Sequence, residues 1–239
     1  MDPKDYLTIA ISVVALVVSL VSLAQKVPEN RRTIRNQLTD VIGKLNTINA
    51  EARKLEIERA VDRHSPEVNG TFSFLNDQRS FLVRQAVFLA EQISDHVTSP
   101  ELAVIARAFD SIGDQEAADF YWARCVEKST SYYMKAINLR GLARYQFRWG
   151  NYEVGRQSYL TSIATMNADN DHSAYTNGET YLRWAIDERD NRFAAESEKL
   201  YGLADESFHK VNHEGRRQHG LRSIAASRVA VAPVIPKPA

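Results

Sequence analysis

Residues 99–126 read SPELAVIARAFDSIGDQEAADFYWARCV, and this stretch decides the fold. Ser99-Pro100-Glu101 opens a helix with a capping hydroxyl, a proline in the first turn and a carboxylate at the positive end of the helix dipole. From about residue 75 to about residue 213 apolar residues at helical spacing alternate with short turns, and no alternating strand pattern interrupts them. Upstream, residues 79–96 are predicted as a helix whose apolar stripe is Phe81, Leu82, Phe88, Leu89 and Ile93. The expected class is all-α.

The stretch 102–126 resembles a tetratricopeptide repeat. In that resemblance Ala106 and Ala118 are the small residues that let two helices approach, Phe109 fills the hairpin, Gly113-Asp114 makes the turn, and Trp122 is the large aromatic. Cys125 stands where the family usually has alanine, which implies a buried small residue rather than a reactive thiol. A second copy follows over residues 137–163: Leu142 and Ala143, the filling aromatics Tyr145 and Phe147, a turn at residues 150–153, then Gly155, Tyr159 and Ser162-Ile163. Gly113 and Gly150 are 37 positions apart (150 − 113), near the repeat period of about 34. A degraded third copy is expected over residues 180–208, with Asp190-Asn191 at its turn and no glycine there. The resemblance implies an α-solenoid of about three hairpins and a protein-binding role.

In this family the first helix of each hairpin lines a concave groove. The resemblance therefore implies groove positions at Ala103, Arg107 and Asp110, and at Ile137, Arg140, Arg144, Phe147 and Arg148. Arg140, Arg144 and Arg148 recur every four residues and form a ridge on one helix face, where like charges repel. Two readings stay open. An acidic segment or chain-terminal carboxylate relieves that repulsion through bidentate hydrogen bonds, or the arginines pair with Asp110, Glu153 or Glu179.

Working outward to the N-terminus, residues 6–25 hold no charge, no proline and no glycine. Twenty helical residues span about 30 Å, the hydrocarbon thickness of a bilayer. This is read as a single-pass membrane anchor, with Tyr6, Val14, Leu16 and Leu20 in contact with lipid. The rival is a cleaved signal peptide with its site at Ser22-Leu23-Ala24, which would give a periplasmic or secreted protein. The length of the run and its acidic leader oppose that. Lys26, Arg31, Arg32 and Arg35 follow the run, so the positive-inside rule places the larger part of the chain in the cytoplasm, with Arg31 and Arg32 at lipid headgroups.

Pro28 is expected to break or restart the helix, with Asn30 as a cap. Ile34, Leu38, Val41, Leu45, Ile48, Ala52 and Leu55 then form a heptad seam over three repeats. Three uses compete for it: self-association into a homo-oligomer through the stalk, packing back onto the chain's own domain, and pairing with another protein. Residues 64–70 are read as a linker.

These readings divide the chain into an anchor (1–27), a stalk helix with linker (28–70), a helical-hairpin domain (71–213) and a basic, proline-rich tail (214–239) holding a short helix near 220–229. Thirty basic and thirty acidic residues balance, which argues against nucleic-acid binding. A single cysteine excludes an internal disulfide and a multi-cysteine zinc site. His209, His213 and Glu214 lack a further ligand and read as a basic helix end, so no metal and no cofactor are expected. No phosphate loop, His-Glu-x-x-His or nucleophile elbow is present. The expected role is a membrane-anchored scaffold for a protein partner rather than an enzyme. An enzyme or regulator with its site in the groove is the remaining alternative.

Overall fold

The computed structural model describes the backbone of residues 3–58 and 65–229, and the side chains of residues 30–58 and 65–229. Among these, nine α-helices and one 3-10 turn occur and no strand. The helices are α1 (Pro3–Glu58), α2 (Pro66–Gln92), α3 (Ser99–Ile112), α4 (Gln115–Glu127), α5 (Tyr132–Arg148), α6 (Tyr152–Thr165), α7 (Asp171–Asp190), α8 (Ala194–His209) and α9 (Glu214–Val229), with the 3-10 turn at Ser94–His96. The chain divides into two compact units, Met1–Val97 with Arg107–Gln115, and Thr98–Ala106 with Glu116–Ala239. Helix α3 is shared between them.

In the first unit α1 runs unbroken through Pro28, against expectation. Ending and restarting a helix there would orphan about four carbonyls and four amides, whereas an internal proline removes one bond and costs about 3 kcal/mol. No helix among the described residues is long and apolar enough to cross a membrane. The anchor residues Tyr6, Val14, Leu16 and Leu20 lie outside the residues whose side chains are described.

The seam of α1 is covered within the chain. Ile34, Leu38, Val41, Leu45, Ile48 and Ala52 are buried and Leu55 is half-buried. Helix α2 packs antiparallel on α1: Arg35 Nη1 donates to the His96 carbonyl at 3.1 Å, and Arg79 Nε donates to Asn49 Oδ1 at 3.1 Å. Ile48 and Ala52 cluster with Leu75, flanked by Phe72 and Leu82. Of the three uses open to the seam, packing onto its own chain is the one the fold adopts.

Two further expectations change here. The linker at 64–70 is mostly helix: Ser65 Oγ accepts from Val68 N, Pro66 takes the first position and Glu67 the first turn, so the breakers are a start signal. The expected apolar stripe of α2 holds at Leu89 and Ile93, which are buried, and at half-buried Leu82, but not at Phe81 and Phe88. Val68, Leu75, Val83, Ala86, Leu89 and Ala90 are buried, whereas Phe74, Phe81 and Phe88 are 59 %, 70 % and 65 % exposed. Ala86 and Ala90, four apart, share the buried face, and the phenylalanines, seven apart, fall on the other.

In the second unit, α3 begins one residue earlier than Ser99 would set it. Thr98 donates through both its N and its Oγ1 to Glu101 Oε2, at 2.8 and 2.7 Å. Ser99 is buried instead. Its Oγ donates to the Cys125 carbonyl at 2.9 Å and accepts from Asn138 Nδ2. The Cys125 thiol donates to the Ser99 carbonyl at 3.3 Å, which fastens the start of α3 to the end of α4.

Helices α5 and α6, and α7 and α8, form antiparallel pairs. Three interhelical turns close alike. The amide of Asp114 bonds to the Phe109 carbonyl at 3.0 Å, that of Asn151 to Gln146 at 2.9 Å, and that of Phe193 to Glu188 at 2.9 Å. Each is the six-to-one bond of a Schellman closure, whose preceding residue takes a left-handed conformation. Gly113, Gly150 and Arg192 supply it with φ of 82°, 80° and 70°.

The core of this unit joins Phe147, Tyr159, Trp184, Leu200, Tyr201, Phe208 and Ile224, with Tyr159 stacked on Trp184 at 5.5 Å. Close approach is made by glycines. A Cβ at Gly155 would stand 2.6 Å from the Phe147 ring. Cβ atoms at Gly178 and Gly220 would stand 2.7 and 2.4 Å from the Phe208 ring, so that ring is clamped between α7 and α9. The expected tail helix is therefore longer than 220–229 and belongs with the hairpins. The Asp171 carboxylate secures its approach, accepting from the amides of Asn212 and His213 at 3.0 Å each.

Candidate functional site

Helix α5 is started by Ser131, whose Oγ accepts from Met134 N at 3.1 Å, and α7 by Asn170, whose Oδ1 accepts from Ser173 N at 2.9 Å. These caps fix the phase of two neighbouring helices. Helix α5 carries Arg140, Arg144 and Arg148 at intervals of four, and α7 carries Glu179, Arg183 and Asp187 at the same interval. Arg140 Nη1 donates to Glu179 Oε2 at 3.2 Å, so the two rows meet with an offset of 39 positions. One turn further on, the same offset sets Arg144 beside Arg183. Arg144 Nε reaches Asp187 Oδ1 at 3.7 Å.

This face has an uneven charge. Arg140 is matched by Glu179. Arg144 and Arg183 are both drawn to the single carboxylate of Asp187. Loss of water around the Arg183 guanidinium, and then the Arg144 charge next to it, lower the Arg183 pKa, although the residue stays exposed at its surface. Asp187 is only 8 % exposed, and burial raises its pKa from 3.8 to about 6 against the opposing pull of Arg144 and a hydrogen bond from Tyr159 Oη. Burial, and then Asp187, hold the Tyr159 hydroxyl well above its ordinary range.

The expected groove residues separate into three groups. Arg140, Arg144 and Arg148 share one face of α5. Phe147 does not join them: it is 1 % exposed and packs against Tyr152 and Tyr159, because position 147 turns toward α6. Arg107 lies in the first unit and is exposed. Arg183 and Asp187 were missed. The four-residue spacing of 179, 183 and 187 was their signal, legible only once α7 is known to lie beside α5.

Behind the face lies a buried ion pair. Arg156 Nε and Nη2 donate to Glu188 Oε1 and Oε2 at 2.7 and 2.8 Å, and Trp184 Nε1 donates to Glu188 Oε1 at 2.8 Å. Glu188 is fully buried, and the Arg156 guanidinium lies 4.8 Å over the Phe193 ring. This pair joins α6 to α7.

Among the described residues no three His, Cys, Asp or Glu side chains come together as a metal site. His213 Nδ1 accepts from the amide of Arg216 at 3.3 Å and so caps α9, and His209 faces Asp205. No family profile, no curated protein and no solved structure matches the chain.

Proposed function

We propose that the chain is a membrane-anchored, tetratricopeptide-like scaffold with its helical part in the cytoplasm, which holds an acidic protein segment or chain-terminal carboxylate against Arg144 and Arg183. The supporting observation is the placing of Arg144 and Arg183 one turn beyond a matched Arg140–Glu179 pair, with one buried carboxylate, Asp187, which Arg144 Nε approaches to 3.7 Å. A carboxylate arriving from a partner supplies the missing charge and accepts bidentate bonds from the guanidinium forks. Holding the partner at a surface raises its effective concentration without chemistry. We assign pairing of copies to the apolar stretch at residues 6–25 rather than to the α1 seam, which is buried within the chain.

The test is the binding of a fluorescein-labelled hexaglutamate peptide to the full chain, read by anisotropy. Arg144→Glu with Arg183→Glu is expected to weaken binding at least tenfold, and Arg53→Glu, on an exposed position of α1, to leave it unchanged. Equal affinity in all three proteins refutes the assignment.

A further inference from the structure

At the start of the described side chains, Arg31, Arg32 and Arg35 on α1 meet Ile93 and His96, which follow α2, around an open depression of about 280 Å³. Two separate elements build it. The chain between α2 and α3 returns to α1 there, and the bond from Arg35 Nη1 to the His96 carbonyl holds the two together. Arg31 and Arg32 are exposed and Arg35 is half-buried. Among the described residues its lining holds three guanidinium groups and an imidazole beside Ile93.

We propose that this depression binds the phosphate of an anionic lipid headgroup. Because α1 is continuous, Arg31 follows Gln25 by six residues, about 9 Å along the axis. A headgroup layer is roughly 5–8 Å deep on each side of the hydrocarbon. Helical side chains lean toward the N-terminus, so the three arginines lean back toward that layer. Guanidinium forks match phosphate oxygens in pairs, and Ile93 lines the depression beside them. The choice of lipid over free phosphate rests on the anchor reading above; the phosphate chemistry does not.

The experiment uses the full chain in neutral detergent micelles and counts bound molecules by native mass spectrometry. Dioctanoyl phosphatidate, dioctanoyl phosphatidylcholine and inorganic phosphate are offered separately. One phosphatidate per chain is expected, at least tenfold tighter than either rival, lost tenfold or more in Arg31→Ala/Arg32→Ala and retained in Arg53→Ala/Lys54→Ala. Inorganic phosphate binding as well as phosphatidate overturns the lipid assignment. Equal loss in the two double variants overturns the site, as does hexaglutamate displacing phosphatidate at equal concentration, which points to a protein instead. Alkaline extraction of membranes is run in parallel. Release of the wild-type chain refutes the anchor and the lipid assignment together, whereas retention with no loss in Arg31→Ala/Arg32→Ala refutes the site alone.

Discussion

Replacing Asp187 with asparagine separates what burial does to this carboxyl from what its neighbours do. The side chain is 8 % exposed, accepts from Tyr159 Oη and lies 3.7 Å from Arg144 Nε. Burial dominates and raises its pKa from 3.8 to about 6. The folded chain therefore holds this proton more tightly than the unfolded chain, so stability is greatest below pH 4 and falls as pH rises through about 4 to 6. The gap of roughly two units corresponds to about 3 kcal/mol, since each unit is about 1.36 kcal/mol. Asparagine keeps an acceptor for Tyr159 and removes the charge. The half-exposed Arg144 loses a partner, a change of at most about 1 kcal/mol. Stability of the variant minus that of the wild type should thus climb by about 3 kcal/mol between pH 3.5 and pH 7. Urea unfolding followed by tryptophan emission measures this, because Trp184 stacks on Tyr159. A difference that stays constant within about 1 kcal/mol over that range refutes the reasoning.

Four other substitutions probe the packing. Gly155→Ala drives a methyl into the Phe147 ring and should cost about 1–3 kcal/mol, while Gly202→Ala, in open space on α8, should gain about 0.5–1 kcal/mol; paired melting curves check both. Arg192→Gly relieves a left-handed arginine and should stabilise by up to about 1 kcal/mol, with no gain when the same exchange is made at Arg148 in helix α5. Arg156→Ala strands the buried Glu188 carboxylate and should cost about 3 kcal/mol in urea unfolding, partly restored by adding Glu188→Gln.

The helical class and the turns at Gly113 and Gly150 were legible because a left-handed closure at the end of a helix favours glycine so strongly. The third turn was placed correctly at Asp190-Asn191, yet its left-handed residue, Arg192, carries no such signature. On α2 Leu82, Leu89 and Ile93 were placed rightly, whereas Phe81 and Phe88 were misread because size was taken for burial. Phe81 and Phe88 look like core, but it is Ala86 and Ala90 that are buried, and short side chains announce little in a sequence. Pro28 was misread because its local cost is visible and the cost of two new helix ends is not. At the candidate site one row, 140-144-148, was evident. The partnership of Arg144 with Arg183 depends on which helix lies alongside α5, and periodicity within one helix holds no record of its neighbour.

The ring of Phe208, gripped by Gly178 and Gly220, depends on α9 for its cover. A row of helices laid side by side always leaves a final oily flank, and copies sharing that flank would stick to one another. Helix α9 supplies only Gly220 and Ile224 as buried residues and turns Arg216, Gln218, His219 and Arg222 to water. It therefore lays a wettable surface over the Phe208 side of α7 and α8. Truncation before residue 214 should yield a shorter chain that clumps, its last aromatic laid bare.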